Sequence, residues 1–199
     1  MLARILDALF PAQCAGCGEL GSGLCDRCLA ESQPLEERRG DLAVRALGEY
    51  RGSLRAAVLA LKDGRRDVAV ALGQRLATLF RGGETIVPVP TTAARRRVRG
   101  IDGVVEISRA IAATGTATVR EALAHASSDA QRGRSRGARL LARGRFACVE
   151  GVRGTRVTLV DDVCTTGATL ADCAAALRAA GAEVREAVVA AIAPNKRSP

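Results

Sequence analysis

Two adjacent carboxylates, placed where an apolar run ends, are the residues of this chain best suited to chemistry. Asp161 and Asp162 lie in the stretch VDDVCTTGATL, directly after the largely apolar run 157–160. That run predicts a buried strand, and the Ala/Leu-rich segment 168–180, with Gly181 behind it, predicts a helix. The two acids therefore stand at the start of a strand-to-helix turn.

The turn itself has the groups that bind a sugar phosphate. Residues 164–169 offer successive backbone N–H groups, hydroxyls and a helix N-terminus, which together bind a monophosphate, and Gly167 permits close approach of the backbone. Ligands of open α/β folds bind at the carboxyl ends of the strands, where Asp161 and Asp162 can accept hydrogen bonds from the vicinal hydroxyls of a ribose. In the alternative interpretation, the acids and threonines only cap the helix. Capping needs one such residue, whereas nine positions here hold two acids and three threonines.

The cysteines fall into two groups, and the first has the spacing of metal ligands. The pattern C-x2-C-x7-C-x2-C is formed by Cys14, Cys17, Cys25 and Cys28. Four thiolates from two tight turns can enclose a tetrahedral zinc ion, so the pattern predicts a structural zinc site. Two disulfides are the alternative, which is disfavoured by the reducing compartment that the absence of a signal peptide implies.

The other three cysteines, Cys148, Cys164 and Cys173, are interpreted as small buried hydrophobes. Cys164 lies inside the phosphate-type turn, but the sequence places no histidine base beside it, because the single histidine, His125, is distant in the chain. We therefore reject covalent cysteine catalysis and expect His125 at the surface or at a strand end.

Composition narrows the class of protein. The chain has 199 residues, of which 48% are hydrophobic, so it can hold one full-sized domain and a small appendage. Aromatic residues contribute 2%, which disfavours a base-stacking platform for single-stranded nucleic acid. The net charge of +9 comes from an arginine-rich composition that suits phosphate and carboxylate ligands. No run is long enough to span a membrane and the first residues lack a secretory cleavage pattern, so we expect a cytoplasmic protein.

Hydrophobic periodicity predicts strands that alternate with helices, as is typical of an α/β fold with a parallel sheet covered on both faces. A polar connector is expected near residues 31–41, after the cysteines. Helices are expected at 54–61, 68–80, 103–113 and 168–180, and strands at 85–89, 118–123, 145–149, 157–160 and 183–192.

A Gly-, Ser- and Arg-rich segment covers residues 126–144. The window 120–156 around it holds nine arginines against three acids, which makes it attractive to anions. We interpret this segment as a flap over bound phosphates; a solvated basic loop or a nucleic-acid patch is the alternative.

These pieces, in this order, resemble a known family. VTLVDDVCTTGATL is similar to the ribose-phosphate loop of type I phosphoribosyltransferases, which bind 5-phosphoribosyl-1-pyrophosphate (PRPP) with magnesium. LFPAQCAGCG, YRGSLRAAVLALKDGRRD and VPVPTTAARRRVRG resemble the zinc module, the first helical segment and the pyrophosphate-side loop of the ComF family, phosphoribosyltransferase-like proteins linked to DNA uptake in naturally competent bacteria. The resemblance spans essentially the whole chain. It implies a zinc-binding module and connector over residues 1–40 and a parallel-sheet type I phosphoribosyltransferase fold over residues 41–199.

The resemblance also implies a role for individual residues. Asp161 and Asp162 would be the catalytic acids that hold the ribose hydroxyls. The 5-phosphate would be bound by Thr165, Thr166, Gly167, Ala168 and Thr169. The pyrophosphate side would be formed by Val89, Pro90 and Thr91, with Arg95 and Arg99 as anion partners. Lys62 is a further candidate contact; a solvated residue at a helix end is the alternative. The implied reaction is a magnesium-dependent transfer of the phosphoribosyl group to a nitrogenous acceptor, with release of pyrophosphate and without a protein nucleophile.

Two departures from the family pattern bear on turnover more than on PRPP binding. RGIDG at 99–103 stands where the family usually has Arg-Gly-Phe-Asn-Gln, and Ala142 replaces an expected asparagine, although Gln131 and Arg139 fit the pattern. Two alternatives therefore stay open: a non-catalytic accessory of DNA uptake that binds single-stranded DNA or a helicase partner, and a PRPP-responsive regulator. The sequence does not fix the acceptor or the oligomeric state, a homo-oligomer included.

Overall fold

A computed structural model describes residues 11–81, 85–115, 117–126 and 145–194, which form mixed α/β structure. Most of the basic segment, with Gln131, Arg139 and Ala142, lies outside the described residues. The helices are α1 (Asp26–Ala30), α2 (Gly52–Lys62), α3 (Arg66–Leu76), α4 (Ala93–Arg99), α5 (Gly103–Ala112) and α6 (Ala168–Ala179). The strands are β1 (Leu35–Arg39), β2 (Leu42–Ala46), β3 (Thr85–Pro88), β4 (Thr118–Val119), β5 (Leu123–His125), β6 (Phe146–Cys148), β7 (Arg156–Cys164) and β8 (Glu183–Ile192).

The strands form one six-stranded sheet and one two-stranded ribbon. The order in the sheet is β1-β2-β8-β7-β3-β4, and every neighbouring pair is parallel except the hairpin β1–β2. The ribbon consists of β5 and β6, which are antiparallel. The prediction of an α/β fold with a mostly parallel sheet is confirmed. Among the described helices, none has both the length and the apolar character needed to cross a bilayer.

Each face of the sheet is covered by its own apolar core. On one face α6 and the ribbon pack against the strands, with Leu170 and Phe146 among their buried residues. On the other face α2, α3 and α5 share a core with the cysteine-rich loop, so that Leu24 lies with Leu54 and Ile107. Because the inner strands are buried on both faces, they have the near-continuous apolar runs from which the sheet was inferred.

The sequence predicts a polar connector near residues 31–41, and this prediction is wrong for Leu35–Arg39. Leu35–Arg39 form an edge strand that pairs with β2 through a tight turn at Gly40, where φ is 62°. Glu36 makes an ion pair with Arg45 of β2 at 3.0 Å. Charged side chains are usual on an edge strand, where they prevent pairing with other chains, and the same charges give the segment the composition of a loop.

Smaller differences concern element ends and short elements. The predicted helix 68–80 ends at Leu76, and the predicted strand 118–123 is β4 followed by the first residue of β5. The sequence does not predict α1, α4 or β2. Helices α1 and α4, with five and seven residues, are too short to show a helical period, and in β2 the apolar Ala43 interrupts the alternation of apolar and polar residues.

The cysteine-rich loop packs directly on α2. Cys14, Leu24 and Cys28 are buried in the core that contains Leu54. The division of the chain into a module over residues 1–40 and a domain over residues 41–199 stays a prediction.

The parallel ladder between β3 and β7 ends before β7 does. Pro88, the last residue of β3, lies opposite Val160, and the N–H of Val89 still donates to the Val160 carbonyl at 2.9 Å. Beyond that point β7 continues to Cys164 and is paired on its other side with β8. The end of β7 therefore has no β3 partner, and the sheet opens between the two strands.

Candidate functional site

A cavity of about 390 Å³ lies at the carboxyl edge of the sheet, where β7 extends beyond β3. The predicted site residues that line it are Lys62, Val89, Pro90, Thr91, Arg95, Arg99, Asp161, Asp162 and Thr169. The predicted residues outside its lining are Thr165, Thr166, Gly167 and Ala168, which form the adjoining turn and the first residue of α6. The volume is within the range of small-molecule sites.

Asp161 and Asp162 have different surroundings although they are adjacent. The N–H of Asp162 donates to Asp161 Oδ1 at 2.8 Å. Desolvation, together with the negative charge of Asp162, raises the pKa of Asp161 well above its usual value. Asp162 Oδ2 lies 3.6 Å from Nζ of Lys62, so Asp162 has a cationic partner. Burial and a neighbouring negative charge therefore disfavour ionisation of Asp161, while Asp162 forms an ion pair.

The turn between β7 and α6 requires glycine at one position. The φ angle of Gly167 is 82°, and an added Cβ would lie 2.7 Å from Cβ of Arg39. Helix α6 begins only at Ala168, whose N–H donates to Oγ1 of Thr166 at 3.3 Å. The turn is thus an open loop, and Arg39, from the segment expected to be a connector, packs against it.

Backbone donors of this turn are free to bind a ligand. Among the residues that the structure describes, the N–H groups of Thr165, Thr166 and Gly167 have no protein acceptor. They lie at the N-terminus of α6, a helix of 12 residues. Unpaired N–H groups at a helix N-terminus, with the partial positive charge of the helix dipole, favour an anion.

Two N-caps fix the turn that follows β3. Oγ1 of Thr92 accepts from the N–H of Arg95 at 3.4 Å and starts α4, while Oδ1 of Asp102 accepts from the N–H of Val105 at 3.4 Å and starts α5. Oγ1 of Thr91 donates to the same Asp102 oxygen at 3.2 Å, which ties the turn to α5. Because aspartate and asparagine are both good N-caps, Asp102 can serve this structural role where the family pattern has asparagine.

Basic side chains outnumber the acids in the cavity wall. Arg95 and Arg99 are one helical turn apart on α4 and both line the cavity, together with Lys62 and Arg145. Arg145 Nε donates to Oδ2 of Asp172 at 2.8 Å, which holds this guanidinium against α6. The two carboxyls in the wall are those at the end of β7, so the surplus of positive charge favours a polyanionic ligand.

One wall of the cavity was not found by sequence reasoning. His125 and Phe146 lie opposite each other in the ribbon β5–β6, with ring centroids 5.0 Å apart, and both line the cavity. Nε2 of His125 is 2.9 Å from the carbonyl oxygen of Pro90. The sequence gives only a weak indication that these two residues are neighbours. His125 stands directly before the basic segment 126–144, and the predicted strand 145–149 stands directly after it.

The four cysteines of the metal-ligand pattern come together. Their Sγ atoms all lie within 4.8 Å of one another, and those of Cys17 and Cys25 are 3.7 Å apart. A tetrahedral site with Zn–S bonds of about 2.3 Å places its sulfurs about 3.8 Å apart, so the cluster fits one metal ion. A disulfide needs about 2.05 Å, and all four cysteines are free thiols.

The environment of the cysteine cluster favours a thiolate at Cys14. Burial raises the pKa of this thiol, but the N–H groups of Cys25, Cys17 and Gly16 outweigh that effect and lower its pKa to about 6. The N–H of Cys25 donates to Sγ of Cys14 at 3.3 Å. Because metals bind the thiolate, these N–H groups support Cys14 as a metal ligand.

Comparisons with known proteins find matches among solved structures. A scan against models of protein families finds no match, and a search of curated proteins finds none either. A glutamine PRPP amidotransferase from B. subtilis, complexed with ADP and GMP, matches 61% of this chain with 24% identity and a TM-score of 0.44. A structure described as the allosteric regulatory enzyme of purine biosynthesis matches 61% with 26% identity and a TM-score of 0.41. UMP synthase of Leishmania donovani matches 68% with 20% identity and a TM-score of 0.41. The matches cover 26%, 26% and 24% of those chains, so they span about a quarter of each.

The raised pKa of Asp161 predicts a pH-dependent cost to the fold. An aspartate in the unfolded chain has a pKa of about 3.9. Between that value and the raised pKa of Asp161, the folded state binds more protons than the unfolded state, so the free energy of unfolding falls as the pH rises. Asp161→Asn removes this cost. We expect the variant to have a higher free energy of unfolding than the wild type at pH 8, measured in urea, and the difference to shrink towards pH 4.

Asp172→Asn is the control for this experiment, because it removes a carboxylate from the exposed ion pair with Arg145. Its effect should stay below about 1 kcal/mol. A stability gain for Asp161→Asn that is absent at pH 8, or that is equal at all pH values, contradicts the raised pKa of Asp161.

Proposed function

We propose that this protein binds PRPP with Mg²⁺ in the cavity at the end of β7 and transfers the phosphoribosyl group to a nitrogenous acceptor, with release of pyrophosphate. One observation carries the proposal. The acidic end of β7, the turn before α6 and the basic face of α4 adjoin a single cavity. These three groups correspond to the ribose, the 5-phosphate and the pyrophosphate of PRPP.

The 5-phosphate would bind at the turn between β7 and α6. The free N–H groups of Thr165, Thr166 and Gly167 can donate to its oxygens, and the hydroxyl of Thr169, which lines the cavity, adds a further donor. Ala168 begins the helix whose dipole favours the negative charge. Any side chain at position 167 would collide with Arg39, and the φ angle is in the left-handed region, so the conformation of this phosphate-binding turn depends on glycine.

The ribose would lie against the two acids. Asp162 can accept hydrogen bonds from a ribose hydroxyl while Lys62 balances its charge. Asp161, whose pKa is raised by desolvation and by the charge of Asp162, lies beside it and can contact the neighbouring hydroxyl. The two adjacent carboxyls can therefore contact both vicinal hydroxyls of the ribose.

The pyrophosphate would lie between the turn after β3 and the basic residues. Val89, Pro90 and Thr91 line this part of the cavity, and Arg95 and Arg99 face it from α4. Guanidinium groups bind phosphate oxygens in pairs, which fixes the orientation of the leaving group.

Carboxyl oxygens and hydroxyls are donors that Mg²⁺ accepts, and Mg²⁺ is usually held by one or two carboxylates together with substrate phosphates. The acids at the end of β7 and the phosphates of PRPP fit this description. When bound, the ion would neutralise charge that develops on the departing pyrophosphate.

In the proposed reaction the bond from C1 of the ribose to the pyrophosphate oxygen breaks, and the bond from C1 to the acceptor nitrogen forms. The bonding electrons leave with the pyrophosphate, whose charge the basic side chains stabilise. The acceptor nitrogen loses a proton to solvent or to the leaving group. No cysteine takes part: burial raises the pKa of Cys164, which disfavours a thiolate nucleophile.

Calorimetry with PRPP and Mg²⁺ tests the binding step. We expect the wild type to bind and the double variant Asp161→Asn/Asp162→Asn to lose at least about 100-fold in affinity, because hydrogen bonds to charged groups contribute about 1.5–3 kcal/mol each. Glu183→Gln, which removes a carboxylate from an exposed ion pair with Arg185 outside the cavity lining, should bind like the wild type. Release of pyrophosphate in the presence of candidate nitrogenous bases then tests turnover. A wild type that does not bind PRPP, or a double variant that binds equally well, rules the proposal out.

For the cysteine cluster we propose one structural Zn²⁺. A zinc-binding module before a phosphoribosyltransferase-like domain is the organisation of ComF-type proteins, which we propose for this chain with a division between residues 40 and 41. The fit of the four sulfurs to a tetrahedral ion supports the metal.

Metal analysis of protein purified without added zinc tests this site. We expect about one zinc per chain and loss of the metal in Cys28→Ser, whose sulfur is buried in the cluster. Cys148→Ser, outside the cluster, is the matched control and should retain the metal. Protein that carries no metal and has two disulfides instead would falsify the zinc assignment.

One surface favours a second candidate function, that of a DNA-uptake accessory that docks single-stranded DNA or a helicase partner. Helix α4 has no buried residue and carries four arginines in seven positions. The Val98 side chain on it is 88% exposed, and Arg97 is exposed beside it. The exposed side of this basic helix can contact a phosphate backbone.

The salt dependence of binding to an oligonucleotide tests this candidate. If Arg97 contacts a phosphate, Arg97→Ser should reduce the slope of log affinity against log salt by about 0.7, as expected for one lost contact on a single strand. Arg185→Ser on β8, another exposed arginine, is the control and should leave the slope unchanged. Affinity that does not change with salt discards this function.

A further inference from the structure

The single histidine of the chain contacts the turn after β3. Nε2 of His125 lies 2.9 Å from the carbonyl oxygen of Pro90, and both residues line the cavity. A carbonyl oxygen can only accept a hydrogen bond, so Nε2 carries the proton and donates it. This bond links the ribbon β5–β6 to the turn across 35 positions of sequence.

The hydrogen bond fixes the plane of the peptide between Pro90 and Thr91. In a trans peptide the C=O and N–H groups point in opposite directions. When His125 holds the Pro90 oxygen, the N–H of Thr91 points away from the imidazole. In the part of the chain that the structure describes, this N–H has no protein acceptor, whereas the Thr91 hydroxyl is used by Asp102.

The imidazole is oriented from the ribbon side and not by the turn. Its ring packs on Phe146 with centroids 5.0 Å apart and an interplanar angle of 40°. Phe146 is 3% exposed and belongs to the core under α6, so it is a fixed support. The N–H of Ala126 donates to the carbonyl of Arg145 at 2.8 Å, which closes the ribbon next to the histidine.

We propose that His125 is a positioning residue for the pyrophosphate group. It holds the Pro90–Thr91 peptide in the orientation that keeps the Thr91 N–H available as a donor to a pyrophosphate oxygen. The proposal rests on the function proposed above and adds a determinant for its ligand. His125 contacts neither the reacting atoms nor the ribose in this arrangement, and it acts through the backbone of the turn.

Two substitutions separate this role from simple packing. His125→Gln places an amide N–H close to the position of Nε2 but loses the ring. His125→Phe keeps a ring against Phe146 but loses the donor. If His125 positions the turn, His125→Gln should keep the affinity for PRPP and His125→Phe should lose it. If the ring only fills space, His125→Phe should keep the affinity and His125→Gln should lose it.

Two ligands separate the pyrophosphate side from the rest of the cavity. PRPP carries the pyrophosphate, whereas ribose 5-phosphate has only the groups assigned to the acids and to the turn before α6. With Mg²⁺ present, we expect His125→Phe to lose about 3- to 10-fold in affinity for PRPP, the effect of one hydrogen bond, and His125→Gln to stay within about twofold of the wild type. Both variants should bind ribose 5-phosphate as the wild type does.

A second measurement follows the peptide itself. In ¹⁵N-labelled protein the amide signal of Thr91 should shift on addition of Mg²⁺ and pyrophosphate in the wild type and in His125→Gln, and should shift less in His125→Phe. Urea midpoints of the three proteins check that the fold is retained.

The outcomes distinguish this inference from the function on which it rests. Equal PRPP affinity of all three proteins, or preserved affinity in His125→Phe with loss in His125→Gln, overturns the positioning role and leaves the proposed function intact. A parallel loss of affinity for ribose 5-phosphate also overturns it, because the effect is then not specific to pyrophosphate. A wild type that binds neither ligand overturns the proposed function together with this inference.

Discussion

The site depends on one constraint in the sheet: β3 stops while β7 continues. Pro88 is the last β3 residue in the ladder, opposite Val160, and from there β7 is paired only with β8. The open side of β7 is where Asp161 and Asp162 stand. If β3 continued for two more residues, its backbone would pair with those two positions and fill the space that is now the cavity. The turn after β3 instead moves outwards into α4 and brings arginines to the opposite wall.

The electrostatics of the cavity follow from this placement. Two neighbouring carboxylates at a strand end repel each other, which contributes to the raised pKa of Asp161, and the charge of Asp162 is balanced by Lys62. The basic residues lie on separate elements, α2, α4 and β6's N-terminal flank, so the positive charge surrounds the cavity and is not concentrated at one point. A polyanion with a polar, uncharged centre is complementary to such a distribution of charge.

The sequence predicts those parts of the site whose residues lie close together in the chain. The strand, the turn and the helix around Asp161 follow one another directly in the chain, and the spacing of the four N-terminal cysteines is that of metal ligands. The sequence does not predict the roles of Arg39 and His125, because both depend on contacts between residues distant in the chain. Arg39, in the edge hairpin, packs against Gly167, and His125, in the ribbon β5–β6, contacts the carbonyl oxygen of Pro90. A charged edge strand has the composition of a loop, so no local signal separates the two.

A crystal structure of the protein with PRPP and Mg²⁺ would show whether the ligand binds in the cavity at the end of β7. We expect the 5-phosphate oxygens to lie within about 3 Å of the backbone nitrogens of residues 165–167, Asp161 and Asp162 to contact the ribose hydroxyls, and the pyrophosphate to face Arg95 and Arg99. A complex in which PRPP occupies another surface, or in which neither acid touches the ribose, would contradict the proposed function.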